Sequence, residues 1–243
     1  EEALGAYGER RRRYGYLAGQ GLEESLLYER LGRSEEAALS AFLELEHRRG
    51  AGSQSEAQIR GNLEALRRRF QDSGATEAAQ AVSGLQSYLA GDWAAAEGAF
   101  ARLSLPAPHL GREYLLLAAR LEQGAAAGDL AAYARLEPEL RPLAAYYYHL
   151  WKALRAAGGA YGLATARAVL EKTILLGPEG RFAEETRVEI GRLLGFSPAQ
   201  GRRLLLAAEA QERVRRAAAA PRPGALEPVL ELLAPPGCLS TPG

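Results

Sequence analysis

Methionine is absent from this chain of 243 residues, and cysteine occurs once, as Cys238 in a Pro/Gly-rich tail. A lone thiol excludes an internal disulfide and any metal site built from several thiolates. Lysine is nearly missing too: Lys152 and Lys172 are the only two among 30 basic residues, and the rest are arginine. With so much Ala and Gly, this points to a GC-rich coding sequence, which concerns codons rather than chemistry. Net charge is also lacking, since 30 acidic residues cancel the basic ones. No global field therefore draws the chain to nucleic acid or to an anionic membrane. No run approaches the roughly 20 apolar residues that span a bilayer. Aromatic and β-branched residues are few, and no alternating strand stands out.

The usual carriers of chemistry are sparse as well. His47, His109 and His149 are the only histidines, and no two share a helical turn or a ligand-like spacing. Glu44-Leu45-Glu46-His47 holds a Glu-x-x-His step, half of a di-iron carboxylate site, but the second copy is missing. The step reads as a solvated helix face. Neither a dinucleotide fingerprint, nor a phosphate loop, nor a Gly-x-Ser-x-Gly elbow occurs. The expectation is no catalytic residue, no metal and no cofactor. Arg10-Arg11-Arg12-Arg13, flanked by Tyr7 and Tyr14-Gly15-Tyr16, could meet phosphate, yet successive helix positions point in different directions. A solvated helix end is expected there, and also at Arg67-Arg68-Arg69.

What the chain has in abundance is Ala, Leu, Glu and Arg, the strong helix formers. Apolar residues recur at helical spacing in short blocks closed by Gly, Pro or polar caps. They predict helices over 2–18, 22–31, 34–49, 55–71, 76–90, 93–104, 109–123, 128–141, 143–157, 161–176, 181–194 and 198–218. Ser55-Glu56-Ala57-Gln58 and Ser197-Pro198-Ala199-Gln200 are capping boxes. The expected fold class is all-α. Its divisions are N-terminal helices over 1–75, repeats over 76–218, and a tail over 219–243 with one short helix.

The blocks repeat. Gly91 is followed by Trp93, Ala96 and Phe100, with Gly84 before them and Pro108 closing the unit. Gly159, 68 residues or twice 34 further on, is followed by Tyr161, Ala164 and Ala168 at the same offsets. Pro108 to Pro142 is again 34 residues and frames a middle unit, where Ala127 replaces the turn aromatic. Glycine lets the chain reverse, the small alanine permits close helix approach, and aromatics fill the space between pairs. A partial unit lies at Gly32, Glu35, Glu36, Ala37 and Phe42. This order resembles the tetratricopeptide repeat family, a 34-residue helix-turn-helix, most closely at Gly84, Gly91, Trp93, Ala96, Phe100 and Pro108.

The resemblance implies a right-handed α-solenoid of antiparallel helix pairs whose concave groove binds a protein or peptide. Aligned on the repeat, Tyr88, Leu89, Arg112, Leu115, Glu122, Tyr146 and His149 take inner-face positions, while Tyr148 and Trp151 pack between helices. Two rivals remain. One is a helical small-ligand carrier or enzyme with a pocket beside Tyr146 and His149; the other is a subunit that self-associates through its N-terminal helices. An open groove favours the scaffold, whereas a closed pocket with convergent polar groups favours the carrier. Partner identity and oligomeric state stay open. Residues 171–173 leading into 178–183 resemble the inter-repeat linkers of periplasmic tetratricopeptide proteins. With a start, Glu1-Glu2-Ala3-Leu4, that has neither initiator Met nor signal core, this gives an expectation of export to the envelope, with the cytoplasm as alternative.

Overall fold

The computed structural model describes residues 2–124, 127–156 and 163–195. Among these there are twelve α-helices and no strand: α1 (Glu2–Tyr14), α2 (Gln20–Arg30), α3 (Ser34–Ala51), α4 (Glu56–Asp72), α5 (Thr76–Ala90), α6 (Trp93–Arg102), α7 (Leu110–Glu122), α8 (Ala127–Ala134), α9 (Glu137–Leu140), α10 (Ala144–Ala156), α11 (Leu163–Leu176) and α12 (Ala183–Leu193). The chain is all-α, and no described helix is long and apolar enough to cross a membrane. It divides into two compact units, Glu1–Thr186 and Arg187–Gly243. The described part of the second completes α12, where Arg192 pairs with Glu189, and stops after the left-handed Gly195. The predicted helix over 198–218, the tail and Cys238 lie outside the described residues.

Local chemistry explains most boundaries. At α4 the capping box forms: Ser55 Oγ accepts the Gln58 N–H at 3.3 Å and Gln58 Oε1 accepts the Ser55 N–H at 2.8 Å. α5 ends on Gly91, whose φ of 78° suits only glycine without strain, and Asp92 then caps α6 by accepting the Ala95 N–H. Two expectations are corrected. The first helix stops at Tyr14 because Gly15 turns left-handed. The single helix over 128–141 is two, α8 and α9, since Pro138 has no N–H to donate and its ring would strike the carbonyl of Ala134 in a continuous helix.

Within the first unit, consecutive helices pack from α2 onward in pairs such as α2·α3, α4·α5, α5·α6, α6·α7 and α10·α11. Helix α3 departs from that order, touching α2, α4, α5, α7 and α10. Every residue from Glu36 to Glu46 is buried, which requires neighbours on all sides. Here the reading of Glu44 to His47 as a solvated face is overturned. Glu44 accepts from Tyr16 Oη (3.2 Å), the Gly19 N–H (2.8 Å) and Arg48 Nε (2.9 Å), and Glu46 accepts from Arg49 at 3.0 Å. Each buried carboxyl group is thus paired with an arginine and hydrogen-bonded, which offsets the cost of removing it from water.

Backbones meet closely at the C-terminal end of α3. A Cβ on Gly180 would lie 1.7 Å from the Gly50 carbonyl oxygen, so no other residue fits without movement. The Arg181 N–H donates to the Arg49 carbonyl at 3.3 Å. This crossing fixes Arg181 and Phe182 against α3.

Candidate functional site

Four of the expected inner-face residues meet at one recess. α5 supplies Tyr88 and Leu89, the end of α7 supplies Glu122, and α10 supplies His149. Helical spacing then adds Tyr148 and Lys152 from α10, since Tyr148 and Lys152 lie one turn apart. The capped start of α6 contributes Trp93, and the chain crossing at Gly180 delivers Arg181, Phe182 and, on the first turn of α12, Glu185. Arg49 of α3 and Glu56 and Arg60 of α4 close the remaining side. The recess holds about 500 Å³, within the usual range for small-molecule sites.

Its floor is a hydrogen-bonded chain. His149 Nδ1 lies 2.9 Å from Glu122 Oε1, and His149 Nε2 lies 2.8 Å from Tyr88 Oη. A carboxylate only accepts, so Nδ1 carries a proton and donates it, while Nε2 meets the Tyr88 hydroxyl. Lys152 Nζ donates to the other oxygen of Glu122. Burial pushes the Glu122 carboxyl up, but the hydrogen bonds and charges of His149 and Lys152 more than offset it, and it lies below the ordinary glutamate range. Burial, then Tyr114 and Glu46, holds the Tyr88 phenol well above the ordinary tyrosine value. Tyr88 and His149 are buried, so neither presents a free acid or base to the recess.

Aromatic rings form the wall. Tyr148 and Phe182 stack with centroids 4.6 Å apart, and Arg49 lies over Phe182 at 5.0 Å. Trp93 meets Tyr88 and His149 edge-on, at 5.3 and 6.3 Å. The rim is ionic: Arg181 Nη1 donates to Glu185 at 2.8 Å, Tyr148 donates to the other oxygen of Glu185, and Arg49 bonds Glu56 at 3.1 Å. For Arg49, burial works against the charge, but Glu46, Tyr88 and Glu56 outweigh it and its pKa is raised. Another recess, about 480 Å³ between α5 and α6, is lined by exposed groups such as Glu77, Gln80, Ser83 and Arg102 and has no aromatic wall.

Comparison of the chain with models of protein families, with curated proteins and with solved structures finds no match. The site is therefore judged on its own geometry.

Three of the expected inner-face residues do not reach the recess. Tyr146 is fully buried, stacked on Tyr133 at 4.8 Å with its hydroxyl on the Tyr133 carbonyl. Leu115 is fully buried on α7. Arg112 donates to the carbonyls of Phe100 and Ala101 and so closes the end of α6. The exchange between Tyr146 and Tyr148 runs opposite to the expectation: Tyr148 faces the recess and Tyr146 packs. Of the repeat residues, Ala96 and Phe100 are fully buried, and a Cβ on Gly84 would lie 2.6 Å from that of Ala99. Pro108 precedes the His109 cap of α7 and Pro142 precedes α10. Gly159, Tyr161 and the side chain of Ala164 lie outside the described residues. Lys152 was legible one turn after His149, whereas Arg49 lies past the partial unit on α3, and Glu56 and Arg60 come from α4, which the repeat register does not reach.

Proposed function

We propose that this chain is a non-enzymatic binding protein on a helical-repeat frame, a right-handed stack of antiparallel helix pairs of tetratricopeptide type. It takes a small ligand in the Tyr88–Glu122–His149 pocket. One observation carries the reading: three sequence-distant polar groups, fixed by mutual hydrogen bonds, converge under an aromatic wall in a recess of ligand size. Against an open groove stands α3, packed on α5, α7 and α10, where Tyr88, Leu115 and Tyr146 are buried. Prepaired groups of this kind hold their geometry before a ligand arrives, which lowers the ordering cost of binding.

A fluorine NMR screen of aromatic fragments of either charge and none tests this on the full chain. Hits that bind the parent and lose binding in Trp93→Ala support the pocket. Hits that bind the variant equally well place the ligand elsewhere and sink the reading. The second reading is a protein-binding scaffold, favoured by the repeat geometry of residues 84–108. On that reading the same pocket receives a side chain of a partner peptide, and Trp93→Ala loses the partner as well.

A further inference from the structure

Resting on the pocket reading above, the hydrogen-bond inventory of the recess goes one step further and names a ligand class. Its acceptors are committed. Both oxygens of Glu122 are taken by His149 and Lys152, and both oxygens of Glu185 by Arg181 and Tyr148. Glu56 Oε1 serves Arg49, with Arg181 3.5 Å away. Glu56 Oε2 has no hydrogen-bond partner and is the one unpaired carboxylate oxygen of the recess, but the atom itself is buried.

The donors are in surplus. Arg60 uses only Nη2, on the Leu89 carbonyl at 3.3 Å, and among the described residues it has no carboxylate partner. Lys152 spends one of its three N–H groups on Glu122, and Arg181 keeps its Nη2 group unused beside the bond from Nη1. A ligand entering this recess therefore meets unused cationic donors and almost no free carboxylate oxygen. It must bring oxygen acceptors, and a negative charge satisfies the cations best. Trp93, only half-buried, has edge-on partners and no ring parallel to it, so a flat body can lie on its face.

We infer that the pocket binds a small aromatic carboxylate, its ring against Trp93 and its carboxylate at Arg60 and Lys152. Arg60 is exposed and the Lys152 side chain is 40% exposed, so a ligand can reach both while Lys152 keeps its bond to Glu122.

The test uses three shape-matched probes on the full chain by isothermal titration calorimetry: 3-phenylpropanoate, 3-phenylpropanamide and 3-phenylpropylammonium. The expected result is a carboxylate affinity about tenfold above that of the amide, as one charge-assisted contact of about 1.4 kcal/mol gives. That advantage shrinks to under about twofold in Arg60→Gln, at an exposed position, or Lys152→Gln, at a half-buried one, each with the fold verified by circular dichroism. Equal binding of the amide, tighter binding of the ammonium, or an advantage that survives both substitutions overturns the ligand class while leaving the pocket standing. If none of the three binds at millimolar concentration, the pocket reading falls with it.

Discussion

The two ends of α3 each meet a buried histidine, and they use it in opposite ways. Toward the N-terminal end, Ser40 faces His109: Nδ1 of the ring accepts the Gly111 N–H at 3.2 Å and caps α7, so Nε2 donates to Ser40 Oγ at 3.1 Å. Its other company is the Tyr28 ring at 5.4 Å. Burial, with the positive charges of Arg11 and Arg33, holds His109 down to about 3. At the far end, Arg49 reaches the wall around His149, whose partners are a carboxylate and a tyrosine hydroxyl beside a cavity. A buried histidine is thus no sign of a site by itself. The neighbouring carboxylate, the cations and the empty volume make one end a candidate site and leave the other a seam.

Breaking the pocket end gives the largest expected effect. Arg49→Met leaves Glu46 buried without its cation and should cost about 3–5 kcal/mol in urea denaturation; a loss under about 1 kcal/mol would show that the pair is dispensable. The seam end is tested by acid. A histidine held below its unfolded value of about 6.5 contributes stability that is full above that pH and lost as the pH falls toward about 3. The parent should therefore lose on the order of a few kcal/mol more than His109→Asn between pH 7 and pH 4, and parallel acid limbs would refute the assignment. Next comes Glu122→Gln, which weakens the floor by about 1–3 kcal/mol and lowers probe affinity. The carboxylate of Glu122 is depressed, so its contribution is present above the ordinary glutamate pKa and is lost as the pH falls through the lower folded value. The smallest change sharpens the contrast between neighbours: Tyr146→Phe costs about 1 kcal/mol and leaves probe binding untouched, whereas any loss of binding would return Tyr146 to the site.

Much of the helix pattern was legible because it is local. The predicted 76–90 is α5 to the residue, and the Ser55 box formed as its spacing required. Pro138 carried the break between α8 and α9, but the apolar periodicity across it masked the signal. Burial of α3 was not legible, because Glu36, Glu44 and Glu46 with Arg33, Arg48 and Arg49 three or four residues away read as ordinary surface pairs, and Tyr16 and the Gly19 N–H, which reach Glu44 from a distance in sequence, carry no local signal. The site divided the same way. Repeat register found Tyr88, Glu122 and His149, which lie on consecutive units, and misassigned Tyr146 and Tyr148, whose two directions on one helix depend on what covers each face.

In a chain of helix pairs that touch only their neighbours, units can be added or deleted, and the ends can fray while the middle holds. α3 joins α5, α7 and α10 at once, and those helices lie far apart in sequence. Such a spine makes the assembly a fixed-length object: removing one pair strands the others, and melting should be a single cooperative event rather than a progressive unzipping. It also slows the search for the native arrangement, since α3 must wait for partners made as much as a hundred residues later.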